Sequence, residues 1–146
     1  MKFYIINGPN LNLLGQREPE LYGTETYADL LKTLETHGRE IAAETVFFQS
    51  NHEGALIDFI QSAIGEADGI ILNAGGYTHT SIAIRDAVAA VNIPTVEVHL
   101  TDISQREEFR KVSYLTAVCA KTLMGKGFHS YIEAMDFLKT VIENDK

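Results

Sequence analysis

Short apolar runs alternate with amphipathic helical segments along almost the entire chain, and this alternation restricts the fold more than any other feature. Four runs, each bounded by turn or polar residues, predict buried strands over residues 3–6, 45–48, 69–72 and 95–98. A weaker fifth candidate covers residues 117–120 and runs on towards Met124. Because apolar runs of this length are typical of strands that are covered on both faces, we expect a parallel sheet.

The segments between the runs carry leucine and isoleucine at helical spacing. They predict helices over about 27–41, 56–64, 82–91 and 131–142, and Ser130 with Glu133 predicts a capping box for the last one. Strands that alternate with helices form an α/β fold with helices on both faces of the sheet. We expect one catalytic domain over residues 1–146, with a flavodoxin-like, five-stranded parallel sheet in the order 2-1-3-4-5.

In this strand order, ligands bind outside the carboxyl ends of the strands where the chain reverses direction. The first connection there runs from Gly8 to Gly23 and is much longer than the roughly 2–6 residues usual for such a turn. Gly15 and Gly23 bracket Arg17 and Tyr22, as hinges would. We expect a lid at about residues 15–24 rather than a plain surface excursion.

Two further strand ends carry polar residues. Asn73 and His79 follow the third strand, where Gly75 and Gly76 permit close backbone approach to a ligand. Thr80 or Ser81 is better interpreted as a helix cap there, and Asn51 as a cap of the preceding helix.

The fourth strand ends in Glu97 and His99, which alternation places on one face. A carboxylate beside an imidazole orients it and favours its protonated form, which suits a general acid. Arg106 and Arg110 follow at helical spacing, either as a solvated basic face or as the binding site of an anion.

The composition favours some partners and excludes others. A net charge of −8 opposes binding to nucleic acid and to anionic membranes, and an anionic substrate requires a local cluster of basic residues. Cys119 is the only cysteine and there is no secretory signal pattern, so we expect a cytoplasmic protein. No glycine-rich nucleotide motif and no histidine pair at metal-ligand spacing is present, so we expect neither cofactor nor metal.

Several of these segments together resemble the type II 3-dehydroquinate dehydratases, or type II dehydroquinases. The similar segments are NGPNLNLLG at 7–15, REP at 17–19, YG at 22–23, QSNHEG at 49–54, NAGGYTHTS at 73–81, EVHLT at 97–101 and REEFR at 106–110. The resemblance covers about the whole chain, and the combined motifs are highly specific. Departures from the family pattern at Gly76, Thr101, 104–105 and 124–127 remove no catalytic group.

The resemblance implies a lyase that dehydrates 3-dehydroquinate through an enolate in the shikimate pathway. It implies that Tyr22 is the proton acceptor, His99 the proton donor, and Arg17 the group that stabilises charged Tyr22. Asn10 would hold a water against the enolate. It further implies a set of residues that bind substrate: Asn73, His79, Leu100, Thr101, Arg110 and, from a neighbouring subunit, Asp86. A homododecamer of four trimers is also implied.

Three alternatives remain open from the residues. A lysine imine, as in the type I enzymes, would need a lysine at the switch point, and none lies there. A response receiver would need acidic residues after strands 1 and 3, where the chain has Asn7 and Asn73. A degenerate, non-catalytic scaffold is the third.

Overall fold

The computed structural model describes residues 1–16, 18, 20 and 23–145. Five parallel strands form one sheet in the order β2-β1-β3-β4-β5. Their bounds are Lys2–Asn7 (β1), Glu44–Gln49 (β2), Gly69–Asn73 (β3), Thr95–His99 (β4) and Lys121–Met124 (β5). The predicted fold class and strand order are confirmed.

Helices cover both faces of the sheet, as alternation along β1 requires. Phe3 and Ile5 pack with α1 (Tyr27–Glu40) and α4 (Phe128–Asn144). Tyr4 and Ile6 pack with α2 (Glu53–Ser62) and α3 (Ile82–Val91). Among the described residues, no helix is long and apolar enough to span a membrane.

The fifth strand begins later than predicted. Residues Thr116–Val118 form a turn of 3-10 helix, and pairing with β4 starts only at Lys121. The apolar character of this stretch arises because Leu115 is buried, and Val118 and Cys119 partly buried, against α2 and α3. An apolar run alone does not distinguish such packing from a strand.

Two predicted caps are wrong. Gly127 caps α4, whereas Ser130 lies inside the helix and its Oγ accepts a hydrogen bond from the Lys126 N–H at 3.2 Å. His52 precedes α2 without a side-chain cap, so Asn51 does not cap that helix. The Ser81 prediction is confirmed, since its Oγ accepts from the Ile84 N–H at 2.9 Å at the start of α3.

Candidate active site

The carboxyl ends of β1, β3 and β4 surround a cavity of about 140 Å³. Residues from all three predicted loops line it. Those singled out from the sequence are Asn10, Asn73, His79, His99, Leu100, Thr101, Arg106 and Arg110. The topology therefore brings together, at the switch point, side chains that are up to about a hundred residues apart in the chain. A doubly wound sheet binds its ligands at this point.

Glu97 and His99 form a buried hydrogen-bonded pair at the end of β4. His99 Nε2 lies 2.6 Å from Glu97 Oε2, and the Glu97 side chain has no solvent exposure. Three hydroxyl groups also donate to this carboxylate, from Ser113 at 2.5 Å, Thr116 at 2.7 Å and Thr122 at 2.8 Å. Glu97 is thus held in one orientation by four donors.

Opposing effects determine the charge of Glu97. Burial alone raises the pKa of this carboxyl, but the hydrogen bonds from His99, Ser113 and Thr116 outweigh it and lower the pKa to about 2. An ionised carboxylate only accepts hydrogen bonds, so His99 carries a proton on Nε2. The Nδ1 atom of His99 remains for a group in the cavity.

The three hydroxyl donors were not predicted from the sequence. Thr122 is the register partner of Glu97 on β5, so a correctly placed fifth strand would have indicated it. Ser113 lies in irregular structure and Thr116 begins a single turn of 3-10 helix, and neither segment has a periodicity that indicates which way a side chain points.

The Asn10 turn is held by side chains from the neighbouring loop. Asn10 adopts a left-handed backbone conformation with φ of 71°, and its N–H donates to Asn51 Oδ1 at 3.0 Å. Gln49 Nε2 donates to the same Oδ1 at 3.2 Å and to the Gly8 carbonyl at 3.1 Å. Asn51 therefore supports the wall of the cavity instead of capping a helix.

Asn73 and His79 each have part of the side chain committed to fixed partners. Asn73 Oδ1 accepts from the Gly75 N–H at 3.1 Å. His79 Nδ1 lies 2.7 Å from the carbonyl oxygen of Val112, which can only accept, so the ring carries a proton on Nδ1. Nε2 of His79 and part of the Asn73 amide remain available to a ligand.

Two arginines bring positive charge to the cavity. Arg106 and Arg110 do not share a helix, since they lie at two separate turns of 3-10 helix, Ile103–Gln105 and Glu108–Arg110. The prediction of helical spacing was therefore wrong, yet both side chains line the cavity. Arg106 Nη1 donates to Thr101 Oγ1 at 3.4 Å, and Arg110 Nε donates to Glu107 Oε2 at 2.5 Å. In a chain of net charge −8, they supply the local charge that an anionic ligand requires.

Leu100 and Gly76 shape the remaining wall. Leu100 is buried and its carbonyl accepts from the Gly127 N–H at 3.0 Å, which ties the β4 loop to the start of α4. A Cβ atom at Gly76 would have no atom of the described residues within 4 Å, so this departure from the family pattern relieves no crowding there.

One predicted site residue lies away from the cavity. Asp86 is on α3, its side chain is 68% exposed, and its carboxylate is 4.0 Å from the Arg85 guanidinium. It does not line the cavity of its own chain. Arg17 and Tyr22 fall outside the described residues.

Within the described part of the chain, no cluster of three or more histidine, cysteine or carboxylate side chains has the arrangement of a metal site. The histidine, arginine and amide side chains that line the cavity can supply hydrogen bonds, fixed charge and proton transfer.

Comparison with known proteins identifies relatives along the full length. The family described as dehydroquinase class II matches residues 1–139. The 3-dehydroquinate dehydratase of Caldicellulosiruptor saccharolyticus is 51% identical over 97% of this chain and 98% of its own. That of Clostridium acetobutylicum is 47% identical over 97% and 99%. The crystal structure of the type II dehydroquinase from Butyrivibrio crossotus superimposes with a TM-score of 0.94 at 47% identity, over 95% of this chain and 97% of that one.

With this match over nearly the whole chain, and with the motif residues from three loops around one cavity, the chain belongs to the class II dehydroquinase family.

Proposed function

We propose that this chain dehydrates 3-dehydroquinate to 3-dehydroshikimate through an enolate, by general base and general acid catalysis. The observation that carries the proposal is the buried Glu97–His99 pair on the wall of a cavity that also contains two arginines. Loss of water beside a carbonyl needs a base for the α-proton, a stabilised enolate oxygen, and an acid for the leaving hydroxyl.

His99 is the proposed acid. Glu97 holds the Nε2 proton of the ring, so a second proton on Nδ1 can pass to the leaving hydroxyl while the Nε2–H bond to Glu97 is kept. The ring then ends neutral and still oriented. General acid assistance of this kind contributes about 10²–10⁴-fold to a rate.

Tyr22 is the proposed base, with Arg17 as the charge that stabilises its phenolate. Both are assigned from the family motif, in which they share the 15–24 segment. We propose that this segment closes over the substrate as a lid, which would exclude water and strengthen the interaction between the two side chains. The ends of the segment lie side by side, since a Cβ placed at Gly15 would be 2.8 Å from the Thr24 carbonyl oxygen.

The remaining cavity residues hold the substrate and the enolate. Asn10 would position a water against the enolate oxygen, which is stabilisation by a preorganised donor. Arg110 and the Leu100–Thr101 backbone would bind the polar groups of the substrate, together with Asn73 and His79. An arginine can hold a carboxylate through two parallel hydrogen bonds.

We also propose that the active site is completed by a neighbouring subunit within a homododecamer of four trimers. Asp86 is not among the residues that line its own cavity and its side chain is 68% exposed, as expected of a residue that serves a partner. Beside the cavity, residues 78–82 and 109–114 are joined by the Tyr114 N–H to Thr78 carbonyl bond of 3.0 Å. These two segments expose four large apolar side chains: Ile82, Phe109, Val112 and Tyr114. A symmetric trimer would bury such a surface three times over.

A cytoplasmic role in the shikimate pathway fits the one cysteine of the chain. Burial, followed by the nearby Glu97 charge, raises the pKa of Cys119 to about 12, so this residue is an inert thiol and not a reactive one.

One assay tests the reaction and separates it from a non-catalytic module. Purified protein is mixed with 3-dehydroquinate and the conjugated enone of the product is followed by its absorbance, with and without a chelator. We expect turnover that the chelator leaves unchanged and that Tyr22→Phe reduces to a small fraction. A folded wild-type protein with no enone formation would refute the proposal, and activity lost with the chelator would refute its metal-free form.

A further inference from the structure

Tyr131 of α4 connects the ends of two adjacent strands beneath the cavity. Its side chain is completely buried, and its hydroxyl forms two hydrogen bonds, to Asn7 Oδ1 at 2.6 Å and to Asn73 Nδ2 at 2.9 Å. Asn7 and Asn73 are register partners at the ends of β1 and β3. Tyr131, a residue of a helix, thus contacts the carboxyl ends of both strands at the switch point.

The chemistry of the groups determines the direction of each hydrogen bond. The Gly75 N–H requires an oxygen at its partner, which places Asn73 Oδ1 there and turns Nδ2 towards Tyr131. Because an amide nitrogen only donates, the Tyr131 oxygen accepts from it and gives its own proton to Asn7 Oδ1. Burial raises the pKa of Tyr131, so the hydroxyl keeps that proton.

The backbone at these strand ends does not depend on Tyr131. The Asn7 carbonyl accepts from the Ser50 N–H at 3.1 Å, and the Asn73 carbonyl accepts from the Gly8 N–H at 2.7 Å. The bonds of Tyr131 therefore orient side chains rather than hold the strands. Only the Asn73 amide, of the two that Tyr131 contacts, lines the cavity.

We infer that Tyr131 is a positioning residue, which fixes the Asn73 amide so that its second N–H is presented to an acceptor oxygen of the substrate. The inference rests on the proposed function for the identity of the substrate. With the first N–H committed to Tyr131 and Oδ1 committed to Gly75, the amide cannot rotate to offer its oxygen instead. Loss of the Tyr131 hydroxyl would leave the Gly75 N–H bond to hold the Asn73 amide, which could then turn its second N–H away from the substrate.

The test is Tyr131→Phe, which removes one oxygen and keeps the ring. We expect KM for 3-dehydroquinate to rise about tenfold, the equivalent of one hydrogen bond, with kcat changed much less. Tyr4→Phe is the matched control, because Tyr4 is also a buried tyrosine of this core but packs on the opposite face of the sheet. That control should leave KM unchanged even if it lowers the melting temperature.

A double-mutant cycle distinguishes positioning from a general loss of structure. If Tyr131 acts through Asn73, adding Tyr131→Phe to Asn73→Ala should raise KM no further. Additive effects, or a fall in kcat at unchanged KM, would overturn the inference. If Tyr131→Phe does not fold, Asn7→Ala removes the acceptor of the tyrosine proton instead and should show the same dependence on Asn73. A wild-type enzyme without dehydratase activity would refute the proposed function, whereas an active wild type with an unaltered Tyr131→Phe variant would refute the inference alone.

Discussion

Glu97 is a carboxylate without solvent contact whose charge is kept by its hydrogen-bond donors. Removing an ion from water costs several kcal/mol, and only multiple good partners compensate for it. The four donors around Glu97 supply that compensation and, in doing so, orient His99. The orientation of the proposed acid and the stability of the folded state are therefore coupled at Glu97.

This coupling gives a pH-dependent prediction for Glu97→Gln. The folded pKa of about 2 lies below the ordinary value of 4.5, so the carboxylate stabilises the fold above pH 4.5 and loses that contribution as the pH falls towards 2. The shift corresponds to roughly 3 kcal/mol. In urea unfolding, the free energy of unfolding of the wild type should exceed that of the variant most above pH 5. This difference in free energy should narrow on acidification. The exposed Glu35, in a surface pair with Arg39, is the control, and Glu35→Gln should show a small, flat difference. A stability difference between the wild type and Glu97→Gln that stays constant between pH 7 and 2 would contradict the lowered pKa of Glu97.

His99→Ala tests the order of the two proton transfers. If His99 protonates the leaving hydroxyl, the variant should still exchange the α-proton of the substrate with solvent deuterium while it eliminates water at least a hundredfold more slowly. NMR of the recovered substrate measures the exchange. Tyr22→Phe is the counterpart, which should lose exchange and elimination together. An equal loss of both in His99→Ala would place His99 in the first step instead.

At the scale of elements, helix α1 begins where the 15–24 segment ends. Thr26 and Asp29 form a reciprocal capping box, in which Thr26 Oγ1 accepts from the Asp29 N–H at 3.1 Å and Asp29 Oδ2 accepts from the Thr26 N–H at 2.9 Å. Such a box fixes the direction in which the chain enters the helix. The capping box at the start of α1 therefore anchors the C-terminal end of the proposed lid.

Gly15 and Gly23 offer a matched pair at the two ends of the proposed lid segment. Both have positive φ, 87° and 84° respectively. A Cβ at Gly15 would lie 2.8 Å from the Thr24 carbonyl oxygen, whereas a Cβ at Gly23 would meet no atom of the described residues within 4 Å. We expect Gly23→Ala to lower the free energy of unfolding by about 1 kcal/mol, because alanine is strained in the left-handed conformation. Gly15→Ala should cost clearly more and should also slow turnover, because the ends of the segment must separate. Urea unfolding and the enone assay measure both effects, and equal costs at the two positions would argue against close packing of the ends.

At the scale of the whole molecule, the proposed sharing of Asp86 can be tested by mixing chains. Asp86→Ala and Tyr22→Phe should each lose most activity alone. Co-expressed in equal amounts, they should recover up to about a quarter of wild-type activity, since half the sites keep Tyr22 and half of those meet an intact Asp86.

The control for this experiment is the same two variants purified separately and combined without subunit exchange, which should show no recovery. Mixed oligomers that recover no activity would show that Asp86 does not serve a neighbouring site. Its described contact would then be the exposed pair with Arg85 within its own chain.

The main features of this protein follow from local sequence. Apolar runs and helical periodicity are sufficient to predict the sheet order, because a parallel sheet buries whole strands and alternation with helices leaves few topologies. The same reasoning locates the site, since polar residues after β1, β3 and β4 must meet at one edge. Alternation along a single strand brings Glu97 and His99 together, so their pairing needs no tertiary information.

Other features depended on the tertiary structure, because they join residues that are far apart in the chain. Ser130 and Glu133 match a capping pattern, yet α4 begins at Phe128, directly after Gly127 with a φ of 56°. A capping pattern does not take this backbone conformation into account. The hydroxyl groups that donate to Glu97 come from a loop and from β5. The start of β5 was predicted too early, because the apolar residues before it pack on the helices. Tyr131 meets Asn7 across a separation of 124 residues. Sequence periodicity indicates which side chains are buried, whereas only packing decides which buried polar groups meet, because each must find a partner wherever the fold provides one.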